Sequence, residues 1–211
     1  MLSRWIRTWY GALLKPLLNF MARLGITANM LTIASLLVAI LAGLLFATGK
    51  TILGAWVLLF AGFLDGIDGE LARVTGIKSP FGGFLDSICD HVGDFAIYLG
   101  LLFPYLKSNA LIEVILIFVA SFASVFGSHV RSRAGMIGID TKTIGFFTRC
   151  ERIFILVIGI LIGQGMIALW TLAIFNSLSA LQRVIYIVQA SSKGRICQKY
   201  QSLASHLDQP G

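Results

Sequence analysis

Six of the ten acidic residues of this 211-residue chain fall between positions 65 and 94: Asp65, Asp68, Glu70, Asp86, Asp90 and Asp94. They interrupt apolar sequence of the kind that is buried in a bilayer, where one ionised Asp at the centre of a helix costs roughly 2.5–3.5 kcal/mol. Such a cost is not incurred several times over without a compensating cation or a water-filled site. The spacing is ordered. Asp65, Asp68 and Ala72 stand at i, i+3 and i+7, and Asp86, Asp90 and Asp94 at i, i+4 and i+8, so each set shares one helix face. Gly69, Gly82 and Gly83 remove side-chain bulk beside those faces, so that backbone or ligand can approach closely. Two facing helices could then present four carboxylates to one point, where like charges repel. A pair of divalent cations resolves the repulsion. All-oxygen ligation suits magnesium or manganese, and two ions about 3.5–4 Å apart are a recurrent device for phosphoryl transfer. A single Asp at an interface is more simply read as a helix cap or a partner of Arg73; four in register on two helices are not. Glu70 and Arg73, three residues apart, form a natural local ion pair, though Arg73 could equally meet a phosphate.

The elements that must position these carboxylates are membrane helices. The chain is 57% hydrophobic and 13% charged, with a mean hydropathy of +0.85, whereas a soluble domain carries about 25% charged residues. About 20 apolar residues cross a bilayer, and six candidate spans follow, at 28–48, 52–75, 80–103, 110–131, 145–163 and 166–188. Before them, residues 1–25 mix Arg4, Arg7, Lys15 and Arg23 with Trp5, Trp9, Leu13, Leu17 and Phe20. This pattern predicts an amphipathic helix lying in the interface; no cleavable signal peptide is evident. The fold class is therefore all-α: a polytopic membrane protein of one domain (1–194), followed by a polar tail (195–211). Only Lys50 and Lys107 fall in loops on one side; the other fifteen of the seventeen basic residues share the second side with both termini. The positive-inside rule places that second side, and the aspartates with it, in the cytoplasm. The net charge of +7 is accounted for in the same way and by anionic lipid headgroups; no nucleic-acid motif accompanies it. Three scattered cysteines form neither a disulfide framework nor a zinc site.

The run Asp65-x-x-Asp68-Gly69-x-x-Ala72-Arg73, eight residues, then Gly82-x-x-x-Asp86-x-x-x-Asp90, resembles the signature of the CDP-alcohol phosphotransferases at every defined position and gap. Thr27-Ala28-Asn29-Met30-Leu31-Thr32 is similar to the family's T-P-N-x-L-T segment at the start of the first span, with Ala28 in place of Pro. The resemblance implies an enzyme that moves a phosphoalcohol from a CDP-alcohol to a second alcohol and releases CMP. It implies that Asp65, Asp68, Asp86 and Asp90 bind metal, Asp90 near the second ion and also serving as general base. It further implies that Asn29, Asp68, Gly69, Ala72, Arg73 and Gly82 line the CDP-lipid site, that two Mg2+ or Mn2+ ions are used, and that the protein is a homodimer.

A second polar cluster bears on the acceptor. Ser128, His129, Arg131, Arg133 and Gly135 precede Gly145, Arg149, Cys150, Glu151 and Arg152, and Arg183 ends the last span on the same side. Several arginines together favour a phosphorylated acceptor, because guanidinium binds phosphate bidentately. The pattern resembles the phosphatidylinositol-phosphate and archaetidylinositol-phosphate synthase branch, with His129, Gly135 and Cys150 departing from it. That branch implies that Arg131, Arg149, Arg152 and Arg183 hold the phosphate of inositol 1-phosphate, which attacks CDP-diacylglycerol or CDP-archaeol. Glycerol 3-phosphate, giving phosphatidylglycerophosphate, is the rival acceptor. A cation transporter is the rival of another class, but it would need inverted repeats or broken helices at mid-membrane, and the acids lie at one end of their spans.

Overall fold

The computed structural model describes residues 15–76, 79–137, 139, 144 and 147–192. Among these, all regular structure is α-helical: α1 (15–23), α2 (Ala28–Ala47), α3 (Thr51–Val74), α4 (Pro80–Lys107), α5 (Leu111–Met136), α6 (Arg149–Leu161) and α7 (Gly165–Ser192). Residues 1–14 of the expected interfacial helix, the turn residues Ile77 and Lys78, Asp140, Gly145 and the tail 195–211 lie outside the described residues. The chain divides into two compact units, one ending at Ala110 and one beginning at Leu111.

Among the described residues, four helices (α2, α3, α5 and α7) are long and apolar enough to cross a membrane. The other two expected spans differ from them for separate reasons. At 28 residues α4 has ample length, but Asp86, Asp90 and Asp94 fall within it. At 13 residues α6 covers only part of the segment 145–163, and a helix rises just 1.5 Å per residue.

In the first unit, α2 packs along both α3 and α4. The contact between α2 and α4 is very close. A Cβ at Gly43 would collide with the Ala96 carbonyl, and one at Gly100 would collide with the backbone of Gly43. Small residues at this crossing let the two backbones touch, as is usual for helices packed in lipid. Leu18 of α1 is fully buried against Leu31, Ile67 and Leu71, so α1 is seated across the start of α2 and the end of α3. Local signals fix the boundaries around the site. The Thr27 hydroxyl caps α2 by accepting from Met30 N–H at 3.3 Å. The Ser79 hydroxyl caps α4 by accepting from Gly82 N–H at 2.9 Å, with Pro80 in the first turn, where its missing N–H costs nothing. Gly76, at φ +70°, takes the left-handed conformation that ends α3.

In the second unit, α7 packs on both α5 and α6. Asn176 of α7 is buried and donates from Nδ2 to the Ala120 carbonyl at 3.1 Å. At Gly159, a Cβ would collide with that of Ala168, so α6 and α7 also approach through small residues.

Candidate active site

The carboxylates of Asp65, Asp68 and Asp86 each offer an oxygen within 4.8 Å of the others. Two come from α3 and one from α4. α2 packs on both of the helices that carry them. Asp68 is buried, at 6% exposure, while Asp65 and Asp86 are half-buried. Asp90 is not a member of this three-carboxylate group. It is half-buried on the same face of α4, one turn or about 6 Å further along the axis. The four carboxylates are thus unequal: three form one cluster and the fourth stands a turn away.

Asp68 has a partner that the sequence reading did not single out. The Thr32 hydroxyl of α2 donates to Asp68 Oδ2 at 2.6 Å, a buried bond that links α2 to α3. Asn29, one turn earlier on α2, reaches the other arm: a Cβ at Gly82 would stand 3.2 Å from Asn29 Oδ1 and 3.1 Å from Ser79 Oγ. At Gly69 and Gly83 a Cβ would meet nothing within 4 Å. A side chain at Gly82 would therefore crowd those two oxygens, whereas one at Gly69 would meet open space. Ala72 is half-buried on the same α3 face. Arg73 is exposed and pairs with Glu70 at 2.8 Å, the local ion pair that their spacing predicts. An exposed i,i+3 pair contributes only tenths of a kcal/mol, which leaves the guanidinium easy to redirect to a stronger anion.

These residues fit a hard divalent cation. The donor set is all oxygen and three carboxylates converge.

The second unit contains the basic cluster. Arg183 of α7 donates from Nη1 to the Gly127 carbonyl at 2.9 Å and from Nε to the Ile144 carbonyl at 3.2 Å. Arg152 of α6 donates from Nη1 to Ser124 Oγ on α5. Like-charge repulsion from Arg131 and Arg152 reaches Arg183, so three of the four predicted arginines are gathered in one neighbourhood. Arg149 is half-buried in the first turn of α6. Neutral oxygens of Gly127, Ile144 and Ser124 help orient Arg183 and Arg152. Ser124 and Gly127, the partners that orient them, were not foreseen. Their signal was present in the register of α5, where 124, 127 and 131 stand at i, i+3 and i+7.

Comparison with known proteins bears on both clusters. A family model described as CDP-alcohol phosphatidyltransferase matches residues 25–188. The archaetidylinositol phosphate synthase of Pyrococcus horikoshii is 38% identical over 164 residues, spanning 78% of this chain and 85% of that protein. The phosphatidylinositol phosphate synthase of Mycolicibacterium smegmatis is 31% identical over 195 residues, spanning 84% and 85%. Among solved structures, the Mycobacterium tuberculosis phosphatidylinositol phosphate synthase with CDP-DAG bound superposes with a TM-score of 0.75 at 28% identity. It covers 82% of this chain and 92% of that one. The same enzyme in complex with manganese and citrate gives 0.74. The matched segment takes in the carboxylates, their helices and all four arginines of the basic cluster, and so this multi-pass membrane protein is a transferase that belongs to the CDP-alcohol phosphatidyltransferase family.

Proposed function

We propose that the enzyme transfers a phosphatidyl-type group from a CDP-lipid to inositol 1-phosphate and releases CMP. The observation that carries this reading is the convergence of Asp65, Asp68 and Asp86 within 4.8 Å at the signature positions. The acceptor follows from the gathering of Arg131, Arg152 and Arg183, joined by Arg149. It agrees with the inositol phosphate products named for the relatives.

In this reading Asp65, Asp68 and Asp86 hold two divalent ions, magnesium or manganese, with Asp90 beside the second. When bound, the ions neutralise the pyrophosphate and stabilise the departing CMP. Asn29, Gly69, Ala72, Arg73 and Gly82 line the cytidine diphosphate, with Gly69 leaving room and Arg73 exchanging Glu70 for a phosphate oxygen. Arg131, Arg149, Arg152 and Arg183 hold the acceptor's phosphate through charge-assisted bonds. Asp90 takes the proton of the attacking inositol hydroxyl as its oxygen bonds to the lipid-linked phosphorus. The bond from that phosphorus to the bridging oxygen breaks, and CMP leaves with the electron pair.

The same reading orients the protein with six spans, both termini and the site on the cytoplasmic side, where fifteen of seventeen basic residues fall. It keeps residues 1–25 in the interface: α1 turns Leu18 inward and leaves Leu17, Phe20 and Leu24 exposed, at i, i+3 and i+7. It also makes the protein a homodimer, as the family resemblance implies.

The test uses purified protein in detergent with CDP-diacylglycerol or CDP-archaeol, magnesium, and either inositol 1-phosphate or glycerol 3-phosphate. CMP release with inositol 1-phosphate, abolished by EDTA, is the expected result. Product from glycerol 3-phosphate alone would overturn the acceptor, and full activity in EDTA would overturn the metal mechanism.

A further inference from the structure

The bond between Thr32 and Asp68 assigns work to α2 that lies outside the acidic signature. Thr32 is 4% exposed and Asp68 6% exposed. The Thr32 oxygen stands 2.6 Å from Asp68 Oδ2 and 3.1 Å from the Ala28 carbonyl of its own helix. A hydroxyl has one proton. The shorter distance, typical of a charge-assisted O–H···O⁻ bond, gives that proton to the carboxylate.

Three consequences follow. The bond occupies only one of about four lone-pair positions on the carboxylate, so Asp68 keeps the capacity to ligate a metal. Thr is β-branched and stiff at χ1, and it sits one turn inside a capped helix, so its hydroxyl is a fixed point that sets the rotation of the Asp68 carboxylate. And α2 is the helix that packs on both α3 and α4, with Asn29, three residues earlier, beside Gly82 on the other arm. The same first turns of α2 therefore touch both carboxylate-bearing helices.

We propose that Thr32 is a positioning residue for the metal site: its hydroxyl holds the Asp68 carboxylate in the orientation that completes the set with Asp65 and Asp86. This rests on the reading of the carboxylates as metal ligands, and the test separates the two. Outer partners of metal ligands typically contribute about 10–100-fold in metal affinity.

The readout is Mn2+ binding to the purified protein without substrate, followed by the electron paramagnetic resonance signal of the free ion. Thr32→Val keeps shape and removes the hydroxyl; Thr32→Ser keeps the hydroxyl. Ser35→Ala, one turn further along α2, removes a buried hydroxyl that donates only to the Thr32 carbonyl at 2.8 Å. The expected result is Mn2+ affinity weakened about 10–100-fold in Thr32→Val, restored to within a few-fold in Thr32→Ser, and unchanged in Ser35→Ala. Unchanged affinity in Thr32→Val alongside lost binding in Asp68→Asn would overturn the role of Thr32 and leave the metal site standing. Unchanged binding in Asp68→Asn would overturn the metal site itself. Equal losses in Thr32→Val and Ser35→Ala would mark the Thr32 effect as general loosening of α2 and overturn the proposal. If Thr32→Val does not fold, Thr32→Ala is read against Thr32→Ser in the same way.

Discussion

Arg183 Nη1 donates to the carbonyl of Gly127 at 2.9 Å, and a Cβ at position 127 would stand 3.2 Å from that same nitrogen. The glycine therefore does two things for the arginine: its carbonyl receives the guanidinium, and its missing side chain leaves the guanidinium room to lie there. α5 and α7 meet through this contact, with Ala180 Cβ only 3.4 Å from the same point.

Gly127→Ala should therefore displace Arg183 while leaving the helices in place, since the far end of an arginine moves more easily than backbone. The expected outcome is a rise in the KM for the phosphorylated acceptor of about tenfold, equivalent to roughly 1.4 kcal/mol, with little change in the KM for the CDP-lipid. Steady-state CMP release with each substrate varied in turn measures both. Equal rises for both substrates would place Arg183 outside acceptor binding.

Arg152 gives a sharper version of the same experiment. Its guanidinium is oriented by the Ser124 hydroxyl on α5, and hydrogen bonds to charged groups contribute about 1.5–3 kcal/mol. Arg152→Ala should lower kcat/KM for inositol 1-phosphate about 10–100-fold. Ser124→Ala, which leaves the charge and removes its guide, should have a smaller effect in the same direction. A larger loss in Ser124→Ala than in Arg152→Ala would show that the bond serves the packing of α5 instead of the acceptor.

How much of this was legible in the sequence follows from what each feature depends on. Asp65, Asp68, Asp86 and Asp90 were legible because helical periodicity alone puts charges on a face, and because charge in a lipid-facing sequence is costly enough to need a reason. The start of α4 at residue 80 was legible from a local signal, since proline suits a first helical turn; the cap from Ser79 was not. That α2 lies against both α3 and α4 was not, because helix packing order depends on contacts far apart in sequence. Thr32 and Asp68 are 36 residues apart, and Arg183 and Gly127 are 56 apart. The short α6 was also misjudged in length. The expected span 145–163 carries Arg149, Glu151 and Arg152 near its start, and the helix begins only at Arg149, where Thr148 and Glu151 form a capping box.

The crossing of α2 and α4 predicts a stability effect that reaches the site. A Cβ at Gly100 would collide with the backbone carbonyl, carbon and Cα of Gly43, none of which can swing aside. Gly100→Ala should therefore lower stability by about 1–3 kcal/mol, the usual range for overpacking, and should lower activity by shifting α4, and Asp86 with it, relative to α2. Thermal unfolding of the detergent-solubilised protein measures the first effect and CMP release the second. Gly135→Ala is the matched control, since a Cβ there meets nothing within 4 Å; a fall in Tm of equal size in both variants would remove the crossing as the cause.

Asp90 separates chemistry from metal binding. It lies one turn beyond Asp86 on α4 and outside the three-carboxylate group, so its loss should affect proton removal more than retention of the metal bound by Asp65, Asp68 and Asp86. Asp90→Asn preserves shape and removes the base. General-base catalysis contributes about 10²–10⁴-fold, and kcat should fall by that order, with Mn2+ affinity reduced far less than in Asp86→Asn. Single-turnover CMP release gives the first quantity and substrate-free Mn2+ titration the second. If Asp90→Asn and Asp86→Asn lose metal affinity equally, Asp90 is a ligand of the primary cluster and the base must be sought elsewhere. If Asp90→Asn keeps both metal and full kcat, no residue of the α4 face acts as the base, because Asp94, the only acid further along it, lies another turn deeper and is 8% exposed.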